Sequence, residues 1–350
     1  MKKNSTSTNI YIKVLTISTS IIAIFIVLNL FTFSVDPTDS SEKLMPTFEN
    51  SYSIFSLDIP QDLSFAEERV PVEKHWVKES FDRELLVNTY WQSQTVLFIK
   101  RSNRYFPIIE PILKEYGVPD DFKYLAVIES GLMPRSVSPA GAAGIWQFMS
   151  ATGKEYGLEV NSEIDERYHL EKATVAACKY FLKSYEAYND WTLVAASYNA
   201  GKRGVSNQLD RQKTDNYYDL LLGEETGRYV YRILAVKEIL SHPENYGFYV
   251  DKKDLYPVIP TQTLTVDSAI SDMADFAGKY GISYKELKDL NPWLRDVVLT
   301  NRYKKTYQIS IPKEIALVEK TEPIGNESGV VIPVDQKEIK LEKQSLIIQQ

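Results

Sequence analysis

From about residue 61 to residue 250 the chain carries apolar residues at helical spacing and almost no strand-like alternation, which restricts that stretch to an all-α domain. Stop signals cut the pattern at Gly117-Val118-Pro119, at Ser138-Pro139-Ala140-Gly141, and at Gly157, Gly201 and Gly223. Residues 81–116 form a long aromatic-rich helical pattern, which Pro107 and Pro111 are expected to interrupt or restart. Near residues 256–260 the pattern changes. A short alternating strand at residues 262–266 leads into two helical segments, 267–280 and 283–290, and then a strand at 306–311. This reads as a small α+β module of β-α-α-β order. The expected plan is therefore a leader or anchor at 1–35, a linker at 36–60, the helical domain at 61–255, the module at 261–313, and a tail at 314–350 that does not pack.

Charge narrows the partners. The net charge is −7 and no Lys/Arg block occurs in the main body, so a nucleic-acid partner is not expected. At the start of the chain, Lys2, Lys3 and Lys13 precede a run at 14–33 that holds no charge and is long enough to span a bilayer. Residues 10–33 are read as an uncleaved membrane anchor with the rest of the chain exported. A removed signal peptide is the alternative, with Thr32-Phe33-Ser34 as a weak cleavage site. No cysteine follows the run, so lipid attachment there is ruled out. The one cysteine, Cys178, lies in a helical pattern of small residues and reads as a buried structural thiol; no disulfide can form within the chain. His75, His169 and His242 carry no ligand spacing, so neither a metal nor a cofactor is expected.

One carboxylate stands out. In residues 121–131, Phe122, Leu125, Ala126 and Glu129 fall at i, i+3, i+4 and i+7 and share a helix face. Gly131 and Pro134 close the helix just beyond Glu129. Burial and the negative end of the helix dipole both favour the protonated acid, which suits a general acid near neutral pH. The other reading is a carboxylate that escapes to solvent at a frayed end.

The sequence around Glu129 continues as ESGLMPRSVSPAGAAGIWQFMSATGKEYGL over residues 129–158, followed by AASYNAG at 195–201 and EETGRYVYRILA at 224–235. Together these segments resemble the catalytic domain of the lytic murein transglycosylases, lysozyme-like enzymes that cut bacterial peptidoglycan, and they are similar to the membrane-bound D type among them. The resemblance runs from about residue 81 to residue 249. It implies an all-α lysozyme-like fold and Glu129 as the catalytic acid, which then acts as base. It also implies that Ser130 shapes the site, that Gln147 and Phe148 line the sugar cleft, and that Tyr198 and Asn199 bind substrate near the cleavage point. Tyr229 would stand beside the acid. Many family members carry Met where this chain has Trp146, and the D type resembles this chain there. The 165–174 segment resembles a structural stretch that leads into a core helix.

Each of these residues also has a plainer role open to it. Trp146 and Phe148 suit a core, Gln147 a satisfied buried amide, Asn199 a helix-end cap and Tyr229 packing alone.

No second catalytic carboxylate is assigned within these motifs; Glu163 and Asp165 are the candidates considered. A single-acid scheme therefore fits better, in which the substrate's own N-acetyl group or 6-hydroxyl replaces the second carboxylate. The implied reaction cuts the bond between N-acetylmuramic acid and N-acetylglucosamine without water and leaves 1,6-anhydro ends. The alternatives are a hydrolytic muramidase on the same fold and a catalytically idle glycan-binding protein of the envelope. The module at 262–312 resembles a LysM domain, which would bind N-acetylglucosamine polymers, although Val266-Asp267-Ser268-Ala269 replaces the usual Gly-Asp-Thr-Leu turn. A domain that props the catalytic unit is the other reading.

Overall fold

The computed structural model describes residues 54–313; the expected anchor at 1–35, most of the linker and the tail at 314–350 lie outside the described residues. Among the described residues no helix is long and apolar enough to cross a membrane.

The chain enters through a short antiparallel hairpin, β1 (Ser64–Phe65) and β2 (Glu68–Arg69). Two long helices follow, α1 (His75–Tyr90) and α2 (Gln92–Glu115). On α1 the residues Val77, Phe81, Glu84, Leu85 and Asn88 make one buried stripe at helical spacing. The break between α1 and α2 falls at Trp91, where ψ swings to 54°, and not at the prolines. Pro107 and Pro111 sit inside α2 on its exposed side together with Asn103. Proline removes an amide donor, and on that face water can take the carbonyls so released, so the helix continues.

The short helix α3 (Lys123–Ser130) carries Glu129, and α4 (Ser150–Glu155) lies beyond the loop that follows. Then come α5 (Leu170–Tyr188), α6 (Trp191–Ala200), α7 (Lys202–Gln212) and α8 (Glu224–Ser241). Helices α5, α6 and α8 are rich in buried small and aromatic residues and form the centre of the domain. Phe122 is its hub, with its ring 4.4 Å from Phe181, 5.2 Å from Phe65 and 5.3 Å from Trp191. Each such fully buried ring stabilises the fold by about 1.5–3 kcal/mol. Cys178 is fully buried and its thiol is pushed up to about 12 by that burial, as expected for a structural rather than a reactive thiol.

The module is β3 (Thr261–Val266), α9 (Met273–Lys279), α10 (Tyr284–Leu290) and β4 (Tyr307–Pro312), with the two strands antiparallel from Thr261↔Pro312 to Val266↔Tyr307. Asp272 caps α9, and Ser283 with Glu286 forms a capping box on α10. The fully buried Asn291 bonds Leu287 and both backbone groups of Ser310, which ties α10 to β4. The fold is thus a mostly helical, lysozyme-like domain with a small β-α-α-β module. The module's core is not self-contained, because Ala143, Ile164 and Tyr168 of the helical domain are buried within it.

Candidate active site

Helix α3 ends at Gly131, which takes φ 61° and returns its N–H to the Val127 carbonyl at 2.7 Å. A side chain there would meet Gln94 and Phe98 at 3.1 Å, and Arg101 donates to the Gly131 carbonyl at 2.9 Å. Only glycine combines this backbone with such close neighbours. The stop is therefore rigid, and it sets Glu129 in the last turn. Phe122, Leu125 and Ala126 are buried below it, while Glu129 is half-buried at the edge of the apolar face.

Glu129 accepts a short hydrogen bond at Oε1 from the Tyr229 hydroxyl. Its Oε2 makes no hydrogen bond among the described residues. Burial raises the carboxyl from its ordinary 4.5 to about 7; the Tyr229 bond opposes the rise, Glu225 adds to it and Arg232 subtracts. Tyr229 is itself buried at 3% exposure. Burial and the neighbouring Glu129 raise its hydroxyl well above the usual tyrosine value, so it stays a donor. Oε2 is then the oxygen that can carry and deliver the acid proton.

Helix α6 packs against α8, which carries Tyr229. Tyr198 donates to the Trp146 carbonyl at 2.7 Å, with its ring 5.0–5.8 Å from Tyr180, Phe181 and Phe148. Burial and then the charge of Glu129 raise its hydroxyl, which marks Tyr198 as a neighbour of the acid. Asn199 lies inside α6, which ends at Gly201, and so is not a cap. Its Oδ1 accepts from Thr226 at 2.8 Å, leaving the amide nitrogen without a partner among the described residues.

The loop between α3 and α4 carries Gln147. Ala143 bridges to both Val137 and Phe148, folding the loop on itself. A Cβ at Gly144 would lie 1.8 Å from the Arg167 carbonyl, so no other residue fits. Gln147 holds a left-handed φ of 50° and donates to Gly144 at 2.7 Å and Ser136 at 3.2 Å. Its donors are spent on shaping the loop, and only its carbonyl oxygen is left to meet a ligand.

The other expected residues are placed differently. Ser130 is buried and donates back to Ala126 at 3.2 Å. Phe148 is 3% exposed and packs edge-on to Tyr198, and Trp146 is fully buried with its indole N–H on Thr174 at 2.9 Å. Both aromatics pack in the core behind the cleft and hold Tyr198. Glu163 and Asp165 are committed elsewhere: Glu163 accepts from the Thr300 amide at 2.7 Å, and Asp165 grips Arg167 at 2.9 and 2.7 Å. Neither is free to serve as a second carboxylate.

Two groups escaped the reading of the sequence. Glu225 is an exposed carboxylate, one turn before Tyr229 on α8, whose charge reaches Glu129. Glu84 is 1% exposed and accepts from Arg228 Nε at 2.6 Å, with Arg232 at 3.8 Å. It neutralises the two arginines that flank Tyr229 along α8. The buried stripe of α1 was a signal for Glu84, because Phe81, Glu84, Leu85 and Asn88 share its phase.

A Glu at a sealed helix end with a Tyr donor on it, and an Asn amide nitrogen left without a partner among the described residues, make up the candidate site. Residues 106–221 match the transglycosylase SLT domain, and residues 262–315 match the soluble lytic transglycosylase C-terminal LysM-like domain. The chain therefore carries an SLT transglycosylase domain followed by a LysM-like domain. It is homologous to membrane-bound lytic murein transglycosylase D of Escherichia coli strain K12, and to the same protein of strain O6:H1, at 28% identity over 232 residues in each case. The match takes in 65% of this chain and 50% of each relative, so the chain spans about half the length of the curated relatives it matches. A solved structure of an inactive mutant of the lytic transglycosylase Slt from Pseudomonas aeruginosa aligns at 19% identity over 43% of this chain and 26% of that one. Its TM-score of 0.32 is too low to bear on the fold.

Proposed function

We propose that this chain is a peptidoglycan lytic transglycosylase that cuts the β-1,4 bond from N-acetylmuramic acid to N-acetylglucosamine. The observation that carries the reading is the half-buried Glu129, held at about 7 and bonded by Tyr229 through one oxygen only. Protonated at Oε2, it donates to the glycosidic oxygen as the bond to the anomeric carbon breaks. The resulting carboxylate then takes the proton of the sugar's own 6-hydroxyl, whose oxygen closes the 1,6-anhydro ring. The proton lost by Glu129 in the first step is regained in the second, and no water is consumed. Asn199 offers its free amide nitrogen, and Gln147 its carbonyl oxygen, to hold the N-acetyl and hydroxyl groups in line for that attack. Ser130, Phe148 and Tyr198 act by shaping the walls.

Hydrolysis is the second reading, because Glu225 places a carboxylate near enough for its charge to reach the acid. The substrate is the glycan strand of the cell wall, with the LysM-like module as a further glycan contact. The location is the cell envelope, with residues 10–33 as the anchor in the inner membrane and the rest of the chain in the periplasm.

Glu129→Gln tests the reading. The variant should still sediment with purified peptidoglycan but release no soluble fragments, and undiminished release would refute the role of Glu129.

A further inference from the structure

The module does not hang from the helical domain as a separate bead. It docks on residues 159–169, the segment between α4 and α5. Ile164 pairs with Leu294 as an isolated bridge, the Asp165 amide donates to the Trp293 carbonyl at 2.9 Å, and the Arg295 amide donates to the Glu163 carbonyl at 2.7 Å. Side chains repeat the contact. His169 stacks on Trp293 at 5.5 Å, the Arg295 guanidinium lies 4.3 Å above the Tyr168 ring, and Tyr307 reaches Glu159 at 3.2 Å.

The same segment faces the cleft loop on its other side. Asp165, whose backbone meets the module, uses both carboxylate oxygens to fix Arg167. Arg167 in turn donates to the carbonyls of Gly141 at 2.8 Å and Phe148 at 3.0 Å, the two ends of the turn that holds Gln147. Its own carbonyl is the atom against which Gly144 is pressed. Ala143, at the centre of that loop, is buried in the module's core. A loop that holds a non-glycine residue at positive φ keeps that shape only while its surroundings enforce it.

We propose that the C-terminal module is a positioning element of the cleavage site, setting the Gln147 loop through Trp293, Asp165 and Arg167. Its role in turnover rests on the lytic transglycosylase reading; the structural coupling does not. A module that served only to grip glycan would need no shared core and no relay into the loop.

The test uses the full chain with Trp293→Ala and, as a milder change that leaves the module's core intact, Arg295→Ala. Hydrogen exchange is followed in the 136–148 loop, with α5 and α8 as internal references. Activity is measured on a soluble glycan of two disaccharides and on whole sacculi. Exchange in the loop should speed up about ten-fold while α5 and α8 hold. On the short glycan kcat should fall about five-fold with KM little changed, and Trp293→Phe should restore both. Unchanged loop exchange, or a loss confined to KM on sacculi, would overturn the proposal. Where Trp293→Ala also loosens α5, Arg295→Ala decides by the same criteria. If the unaltered chain cuts no glycan, the reading of the reaction falls, and the exchange measurement still decides the coupling.

Discussion

Replacing Glu129 with Gln should stabilise the protein in a pH-dependent way. The folded-state value of about 7 lies above the ordinary 4.5, so the folded chain holds this proton more tightly than the unfolded chain does. Stability from this group is therefore complete below about 4.5 and is lost as the pH rises toward 7. At pH 8 the ionised carboxylate costs the folded state about 3 kcal/mol. Because Glu129 is only half-buried, solvent screening reduces that to about 2 kcal/mol. Gln keeps the size and the Tyr229 hydrogen bond but cannot ionise. The variant should thus match the parent in Tm near pH 4.5 and exceed it by roughly 4–8 °C at pH 8, for a domain of this size. Scanning calorimetry of both proteins at the two pH values reads this directly. Other titrating groups, such as Asp190, raised by burial to about 6, are common to both proteins and cancel in the difference. An equal Tm offset at both pH values would refute the claim that Glu129 is desolvated.

Three further outcomes follow from the same geometry. Tyr229→Phe removes the one hydrogen bond that the carboxylate makes among the described residues, so the alkaline limb of the rate profile should move to higher pH while kcat/KM falls about ten-fold; a limb that moves down would contradict it. Glu84→Gln takes the buried carboxylate from Arg228, which keeps only its longer contact with the exposed Glu224 at 3.4 Å, and removes the charge that faces Arg232 near Tyr229. It should cost about 2 kcal/mol in denaturant unfolding, less than a fully sealed pair because Arg228 keeps some solvent contact, and pull the alkaline limb to lower pH. Gly144→Ala places a methyl inside the Arg167 carbonyl; it should cost about 3 kcal/mol or more and lower activity, whereas a neutral result would mean the loop can move away freely.

The sequence allowed the helical domain, the β-α-α-β module and the position of Glu129 to be read, because each is written in local periodicity and local stops. Glu129 shares a phase with Phe122 and Leu125, and Gly131 ends the helix two residues later. What stayed hidden depends on partners far along the chain. Arg228 lies 144 residues from Glu84, and Tyr229, 100 residues from Glu129, was expected beside it from the family resemblance alone. No spacing rule connects them. Glu163 looked available because its partner Thr300 lies far along the chain, and Asp165 although its partner Arg167 stands only two residues on. The prolines of α2 suggested a break that solvent makes unnecessary, while the real break at Trp91 carries no such mark. The sharing of Ala143, Ile164 and Tyr168 between two cores is equally illegible, since both cores read as ordinary apolar pattern.

The central claim is that one acid, working without a second carboxylate, closes an anhydro ring on the sugar it cleaves. Digesting purified peptidoglycan with a fragment lacking residues 1–35 and weighing the soluble products tests it most directly. Fragments ending in 1,6-anhydro-N-acetylmuramic acid, each lighter than its reducing-end counterpart by one water, are the predicted result. Reducing ends would contradict it and would turn attention to Glu225 as the base that delivers water.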